Sequence, residues 1–478
     1  MSDEFRDQRI KKLNELNAEG VCGYGGQFPR THFVQDLRDN FEPDQSVCCA
    51  GRIMALRFHG KSVFGDIKDI SGKMQFYAKK DVIGEKTFDF LKKFDLGDII
   101  GVKGSLFLTH TQEPTIAVKE FELLSKSLRP MPEKWHGLKD VETRYRKRYL
   151  DLIVNDNVRD VFILRSKITK SIRNFLDVKG YLEVETPMLH PLAGGAAGKP
   201  FATHLDALNL DLFLRIAPEL YLKKLLVGGL EKVYEINRSF RNEGISLRHN
   251  PEFTMLEVYT AFADYRVMMQ LVRDIFLHIA DTVLGTRELI FKDEKIDLNV
   301  WEEISFAKLM DEKFGINPDD SASIWIEKLK KKNIDLELKQ GKISRTFILN
   351  LISDLIEVKL AHPVFITDIY TELCPLAKKK KNNPFLSERF ELFIGGMEIA
   401  NAYSELNDPQ EQKQRFIAQA KDEGCGVLDQ SFVDALEYGM PPAGGLGVGI
   451  DRMVMLFANQ PCIKDVIFFP QLKPENCE

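Results

Sequence analysis

Arginine and histidine side chains recur in two segments of this chain, where they could bind a polyanion. Arg241, Arg248 and His249 lie in the stretch KVYEINRSFRNEGISLRHNPEFTMLEVY, and Arg452 follows the glycine-rich turn of PPAGGLGVGIDRMVMLF. Because an arginine presents a planar fork of donors, it can hold two phosphate oxygens at once. The two segments therefore indicate a site for a ligand that carries several phosphates.

If the ligand is a nucleotide, neighbouring side chains could contact its base as well as its phosphates. Arg241 and Glu243 are two residues apart, so on extended backbone they face the same side. Arg241 would hold an α-phosphate, while Glu243 could accept a hydrogen bond from an adenine amino group. Phe253 offers a ring face for the base, and Arg452 could stack on its other face or hold a γ-phosphate. Arg248 and His249 would reach the outer phosphates.

The first third of the chain must fold as a separate β unit. Five short runs with alternating or β-branched residues occur between about 45 and 125, and one helical interval interrupts them. Five strands in about 80 residues are typical of a small closed barrel of the OB type. A polar, proline-containing connector follows this region.

The phosphate-binding segments fall in a longer unit after that connector. Strand-like runs there alternate with helices in an order that indicates an antiparallel α+β domain rather than a doubly wound one. The predicted organisation is a helix and loop over 1–44, a barrel over 45–130, a linker over 131–155, and a catalytic domain over 156–478 with a helical insertion at about 300–360.

Composition excludes several other classes of protein. The 478 residues are 44% hydrophobic and 29% charged, which is ordinary for a globular protein. We find no apolar run long enough for a membrane span and no secretory leader, so we expect no membrane partner and a cytoplasmic location. The seven cysteines form no Cys-x-x-Cys pair, which argues against a structural zinc site.

Three ordered segments resemble the signature motifs of class II aminoacyl-tRNA synthetases. They are GYLEVETPML at 180–189 and the two segments that carry the arginines. The sequences RIAPELYLKKLLVGG, ELFIGGMEIANAYSELND and EYGMPPAGGLGVGIDR are specifically similar to lysyl-tRNA synthetases of the bacterial type. The resemblance implies an OB-fold barrel that binds the anticodon, followed by a class II catalytic domain built on an antiparallel sheet flanked by helices.

The resemblance also implies a metal site and an amino-acid pocket. Glu391 and Glu398 match the family's ligands for Mg²⁺, an ion that prefers hard oxygen donors. Glu219 matches the residue that binds the α-amino group of lysine, and Asn401 the same end of the substrate. Glu405 would enclose the ε-ammonium together with the residues Glu257 and Tyr259, whose i, i+2 spacing puts them on one strand face.

In the barrel, three positions match the family residues that read anticodon bases. Phe64 would stack on a base, and Arg57 and Gln75 would hydrogen-bond to uridines. Glu120 is a weaker fourth candidate. Without the family pattern, a barrel phenylalanine is more often part of the core.

The implied activity is the ATP-dependent joining of lysine to tRNA(Lys) by a homodimer, with lysyl-adenylate as intermediate and pyrophosphate released. Three alternatives stay open: an aspartyl- or asparaginyl-tRNA synthetase, a lysyl-synthetase relative that modifies an elongation factor, and an inactive RNA-binding paralogue. The acidic pocket residues disfavour the first alternative. The barrel disfavours the second, and the full set of phosphate-binding residues disfavours the third. The chain departs from the family's pattern at Met397, where arginine is common.

Overall fold

A computed structural model describes residues 2–132, 138–192, 194–195, 198–334, 344–353, 360–423 and 429–475. The chain forms two compact units that divide between Lys139 and Asp140. No helix among these residues is long and apolar enough to cross a membrane.

The first unit is a closed five-stranded barrel with strand order β1-β2-β3-β5-β4. Its elements are α1 Ser2–Ala18, α2 Val34–Asp39, β1 Ser46–His59, β2 Ser62–Lys68, β3 Lys73–Lys79, α3 Lys80–Ile83, α4 Glu85–Leu91, β4 Ile99–Leu108 and β5 Pro114–Ser125. Five strands with helices between β3 and β4 confirm the predicted OB-type barrel.

Alternation along the strands explains why this segment closes into a barrel. Val63, Ile67, Met74, Phe76 and Ala78 are fully buried, and the residues between them are partly exposed or lack a large side chain. Successive strand residues point to opposite faces, so one face supplies a packed interior and the other stays open for ligands.

The second unit is a large sheet with helices packed on it. Its helices are α5 Val141–Arg146, α6 Arg148–Val154, α7 Asp156–Val178, α8 Glu219–Val227, α9 Tyr265–Ile279, α10 Phe306–Phe314, α11 Ala322–Lys331, α12 Arg345–Ser353, α13 Pro409–Glu423, α14 Gln430–Glu437 and α15 Ile450–Phe457. Its strands are β6 Leu182–Glu183, β7 Leu189–His190, β8 Ala202–Leu205, β9 Leu210–Leu214, β10 Lys232–Phe240, β11 Glu252–Ala261, β12 Glu288–Phe291, β13 Glu294–Asp297, β14 Glu302–Ser305, β15 Val364–Thr367, β16 Arg389–Ile394, β17 Met397–Ser404 and β18 Ala443–Gly449.

Eight of these strands form one sheet in the order β14-β15-β16-β17-β18-β11-β10-β6. Neighbours from β15 to β10 are antiparallel, and only the two outermost pairs are parallel. This confirms the predicted α+β fold. One sheet face packs against α7, α9 and α15 to form the main core, so the opposite face is available for a site.

The stretch expected to be a linker is partly folded. Residues 141–154 form α5 and α6 within the second unit, where the fully buried Arg148 pairs with Asp151 at 2.7 Å. Its polar composition suggested a connector because buried, paired arginines look like exposed ones in sequence. Helices α10, α11 and α12 occupy the expected insertion, of which 335–343 and 354–359 lie outside the described residues.

Candidate active site

Two rows of side chains cross the open face of the large sheet. In one row, Glu391 on β16 pairs with Asn401 on β17, Asn401 pairs with Gly447 on β18, and Gly447 pairs with Glu257 on β11. In the next row, Tyr403, Gly445 and Tyr259 lie side by side in register. Glycines on β18 leave room between the functional side chains of its neighbours.

Arg241 lies immediately after β10, at the edge of this face. Its backbone N–H donates to the Pro251 carbonyl at 2.8 Å, which closes the β10–β11 hairpin. Its guanidinium lies 5.2 Å from the centre of the Phe253 ring. Burial lowers the pKa of Arg241 from its ordinary value, although the group remains a cation. Its Nε is buried and finds no hydrogen-bond acceptor among the described residues, so this donor is available to a ligand.

Glu243 lies beside Arg241, although the backbone there is a tight turn, with the Glu243 N–H donating to the Arg241 carbonyl at 2.9 Å, and not the extended segment that the spacing argument assumed. A Cβ atom built on Gly198 would lie 3.2 Å from Arg241 Cδ and 3.1 Å from Glu243 Oε1. Glycine at 198 thus lets a neighbouring loop pass close to both side chains. The Glu243 carboxylate itself is exposed.

Arg452, in the first turn of α15, joins the hairpin loop to β17. Its Nη1 donates to the Glu398 carbonyl at 2.7 Å and lies 3.3 Å from Glu398 Oε2. Its Nη2 lies 3.0 Å from His249 Nε2. Burial, together with the positive charge of Arg452, lowers the pKa of His249. Arg248 donates to the Gly396 carbonyl at 3.0 Å, so the loop lies against the turn between β16 and β17.

Glu391 and Glu398 share the open face because of one extra residue in β17. Leu392 pairs with Ala400 but Phe393 pairs with Glu398, so Ile399 has no partner of its own. This bulge shifts the alternation by one and turns Glu398 toward the side of Glu391. Burial raises the pKa of Glu391, and the charge of Glu398 adds to that shift against the opposing effect of Arg389.

A buried acidic pocket lies farther along the same face. Glu219, Glu257 and Glu405 are all buried, and each carboxylate acts electrostatically on its neighbours. Tyr259 Oη donates to Glu257 Oε2 at 3.2 Å, and Tyr403 Oη donates to Glu219 Oε1 at 2.5 Å. Two phenols therefore orient two of the three acids.

Removal from water dominates the electrostatics of this pocket. Burial raises the pKa of Glu257 to about 8, with a further contribution from the charge of Glu219. Burial also raises the pKa of Glu405 to about 8, and the ammonium of Lys223 offsets part of that shift. Since buried carboxylates resist ionisation unless a cation compensates them, the pocket favours a cationic ligand.

Asn401 stands between the two groups of acids. It pairs in register with Glu391 on one side and with Gly447 on the other, and Gly447 in turn pairs with Glu257. A ligand that spans from the pocket to Glu391 would therefore pass this amide.

In the barrel, Arg57, Phe64 and Gln75 come together on the outer surface. Arg57 is directly opposite Phe64 in the β1–β2 register, and Gln75 is two residues before Tyr77, the partner of Phe64. The rings of Phe64 and Tyr77 lie 4.6 Å apart. Thr115 donates to Gln75 Oε1 at 3.0 Å.

Glu120 is separate from this group. It lies on β5, where its carboxylate pairs with Lys103 at 2.8 Å. Both side chains of that pair are largely exposed.

Three residues of the site were missed by sequence reasoning: Lys223, Tyr403 and Arg389. Lys223 follows Glu219 by four positions on a helix, and Tyr403 lies two residues from both Asn401 and Glu405 on a strand. Arg389 lies two residues before Glu391 and binds its carboxylate at 2.7 Å. Spacing marks all three as neighbours of expected site residues, since i+4 and i+2 neighbours share a face, but it does not show that Lys223 is buried.

Comparisons with known proteins agree with this architecture. A family described as "tRNA synthetases class II (D, K and N)" matches residues 140–473, and an "OB-fold nucleic acid binding domain" matches residues 47–124. The Lysine–tRNA ligase of Carboxydothermus hydrogenoformans is 52% identical over 99% of this chain and 99% of its own. Those of Moorella thermoacetica and Pelotomaculum thermopropionicum are 48% and 50% identical, over 98% and 99% of this chain and 97% and 95% of theirs. The chain therefore belongs to the class II tRNA synthetases, among the lysyl-tRNA synthetases.

Proposed function

We propose that this protein activates lysine with ATP and transfers the lysyl group to tRNA(Lys), as a lysine–tRNA ligase. One observation carries the proposal: a buried pocket of three carboxylates lies on the same sheet face as a set of phosphate-binding arginines. Full-length similarity to proteins named Lysine–tRNA ligase supports the same reading.

In this proposal, ATP binds along the β10–β11 hairpin. Arg241 holds the α-phosphate with its fork of donors, and its buried, unpartnered Nε supports that role. Arg248 and His249 face the outer phosphates. Glu243 accepts from the adenine amino group, and the base stacks between Phe253 and Arg452.

Magnesium is the implied metal, and its proposed ligands are Glu391 and Glu398. Their hard carboxylate oxygens suit the ion, and the β17 bulge turns both to one side. Among the described residues no group of three or more His, Cys, Asp or Glu could hold a metal, so phosphate and water oxygens would complete the shell. When bound, the ion neutralises negative charge on the phosphates.

The acidic pocket takes the amino acid. Glu219 and Asn401 hold the α-amino end, while Glu257, Tyr259 and Glu405 surround the ε-ammonium. Each buried ammonium needs a carboxylate partner, because an unpaired buried charge is strongly disfavoured. An aspartate or asparagine side chain would bring no cation to this pocket, so the pocket favours lysine over those substrates.

Chemistry then follows from alignment and charge neutralisation. The lysine carboxylate attacks the α-phosphorus in line, a P–O bond forms to the carboxylate, and the bond to pyrophosphate breaks. Arg241 stabilises the negative charge on the α-phosphate oxygens during this step. The terminal ribose hydroxyl of tRNA then attacks the lysyl carbonyl carbon, and AMP leaves.

The barrel contributes tRNA recognition. Phe64 gives an aromatic platform for an anticodon base, and Arg57 and Gln75 flank it with hydrogen-bonding groups. Glu120 is a more distant candidate for the same surface. The family's role in translation supports a cytoplasmic location.

A homodimer is part of the proposal. The first signature motif, residues 180–189, leaves Leu182, Met188 and Leu189 each about half exposed. Apolar side chains of this kind are typical of a surface that a second copy covers. Light scattering after gel filtration should give twice the mass of 54.7 kDa.

Replacement of Arg241 by alanine tests the nucleotide assignment. Arg241→Ala should lower lysine-dependent pyrophosphate exchange by at least about a hundredfold, because no other residue replaces its bidentate contact. Arg238→Ala is the matched control, since Arg238 lies on β10, three residues before Arg241, in a half-exposed pair with Glu252. Full exchange activity in Arg241→Ala would refute the assignment.

A further inference from the structure

Lys223 lies inside the amino-acid pocket although it belongs to none of the segments that bind ATP. It sits on α8 one turn after Glu219, and its side chain is completely buried. Its Nζ lies 2.7 Å from Glu219 Oε1 and forms an ion pair with Glu405. Two of the three pocket acids thus share one internal cation.

The surroundings of Lys223 keep it charged. On its own helix it faces Glu219; from β17 and the residue after it, it faces Tyr403 and Glu405. The other ionisable groups of the pocket are Glu257 and Tyr259 on β11. Burial acts to lower the pKa of Lys223, but Glu219 and Glu405 outweigh it and raise the pKa.

The net charge of the pocket can be compared with the charge that free lysine brings. Three carboxylates and one fixed ammonium leave two net negative charges when all are ionised. Free lysine brings two ammonium groups, and its carboxylate is directed to Arg241 rather than to the pocket. The occupied pocket is therefore neutral only if Lys223 is present.

We propose that Lys223 is a fixed counter-charge that sets the pocket to two net negative charges, so that it matches the two ammonium groups of lysine. This inference rests on the proposed assignment of the pocket to lysine. Lys223 is a positioning residue here, since it contacts the acids and not the reacting atoms.

Charge matching makes a prediction that a simple packing role does not make. Glu405→Gln removes one acid and should raise the KM for lysine at least about tenfold in pyrophosphate exchange, because a cation loses its partner. Adding Lys223→Met to that variant restores two net negative charges. The double variant should therefore have a KM at least about threefold lower than Glu405→Gln alone.

A purely structural role predicts the opposite sign for the double variant. In Glu405→Gln the ammonium of Lys223 still pairs with Glu219, so its removal would leave that acid unpaired and raise the KM further. An equal or higher KM in the double variant overturns the proposal. Thermal unfolding of each variant shows whether it is folded.

Lys223→Met alone gives an independent test through pH. Without the cation the three acids hold protons more tightly, so the KM for lysine at pH 7 should exceed the unsubstituted value at least about tenfold. Because those protons leave as the pH rises, the ratio of the two KM values should shrink at least about threefold by pH 9. A ratio that stays constant with pH overturns the proposal.

The neighbouring lysine of α8 provides the matched control. Lys224 bonds to Ser431 Oγ at 2.8 Å, away from the pocket acids, so Lys224→Met should leave the lysine KM within about twofold. Pyrophosphate exchange by the unsubstituted protein distinguishes a failure of charge matching from a failure of the proposed function. If it exchanges with lysine but the variants fail these tests, charge matching is wrong and the proposed function stands.

Discussion

Glu257 and Glu405 provide negative charge that favours lysine, but burial makes the ionisation of each carboxyl unfavourable. Each acid is buried, and burial raises the pKa of each to about 8. The Glu257 carboxyl in this state holds its proton at neutral pH and must release it to pair with an ammonium, whereas Glu405 already pairs with Lys223. Lysine affinity should therefore depend on pH in a range where free carboxylates no longer titrate.

The KM for lysine measures how lysine binding depends on pH. Between pH 6.5 and 8 the pocket acids lose protons, and only the ionised forms bind ammonium, so the KM for lysine should fall about tenfold. Pyrophosphate exchange at saturating ATP measures it. Glu257→Gln should flatten the profile, whereas Glu252→Gln, which changes a half-exposed acid on the same strand, should keep it. A KM that rises over this range would contradict the account.

Gly445 on β18 leaves the space that the side chains of Glu405 and Tyr259 occupy. A Cβ atom on Gly445 would lie 1.9 Å from Glu405 Oε1 and 2.7 Å from the Tyr259 ring. Gly445→Ala should displace both groups and raise the lysine KM at least about tenfold, with little change in the KM for ATP. Gly449→Ala on the same strand meets only ordinary contacts at 3.6 Å or more. Similar lysine KM values for the two variants would count against the pocket geometry.

Among the secondary-structure elements, the β16–β17 hairpin has a geometry that the residue pattern alone does not predict. Alternation correctly grouped Glu257 with Tyr259, because β11 is regular there. It could not place Glu398 beside Glu391, since that depends on the bulge at Ile399. A bulge leaves no clear mark in residue types, so only the resemblance suggested the pair. The extent of the linker was missed for a related reason, namely that Arg148 is buried and paired.

A buried ion pair ties three elements of the catalytic unit together. Asp451 on α15 accepts from Arg165 Nη1 on α7 at 2.5 Å and from the Thr254 backbone N–H on β11 at 2.7 Å. Arg165 Nη2 also donates to Thr254 Oγ1 at 3.0 Å. The helix that carries Arg452 is therefore fixed to the strand that carries Phe253.

Breaking this ion pair should destabilise the fold. Asp451→Ala leaves a largely buried arginine without its partner, so the free energy of unfolding in urea should fall by about 3 kcal/mol. Glu327→Ala, which removes an exposed pair with Lys331 on α11, should lower the free energy of unfolding far less, because solvent screens that pair. Equal losses of unfolding free energy in the two variants would show that the buried ion pair contributes no more to stability than the exposed pair.

The whole molecule consists of two units: a barrel to which we assign nucleic-acid binding, and a catalytic unit to which we assign the chemical steps. Both could be predicted, because strand alternation and turn residues defined the barrel and ordered motifs defined the catalytic fold. Lys223 was not predicted, since a lysine on an amphipathic helix usually faces water. Its burial depends on Glu405, which lies 182 positions away in the sequence.

If the barrel binds the anticodon, a change on its surface should weaken tRNA binding without affecting lysine activation. Phe64→Ala removes a stacking platform worth about 1–3 kcal/mol per base, so the KM for tRNA(Lys) should rise at least about fivefold. Pyrophosphate exchange without tRNA should not change. Phe58→Ala is the control, because Phe58 is an exposed barrel phenylalanine that is next to Arg57 and so points to the other side of β1. Loss of exchange in Phe64→Ala would instead indicate a structural role.

Pyrophosphate exchange by the full chain, with each of the twenty amino acids in turn and no tRNA present, tests most directly whether the acidic pocket selects lysine. We expect ATP- and magnesium-dependent exchange with lysine and background rates with the others, because only lysine supplies two ammonium groups to three buried carboxylates. Exchange with aspartate or asparagine would contradict the assignment of the pocket. Failure to exchange with any amino acid would contradict the proposed catalytic function.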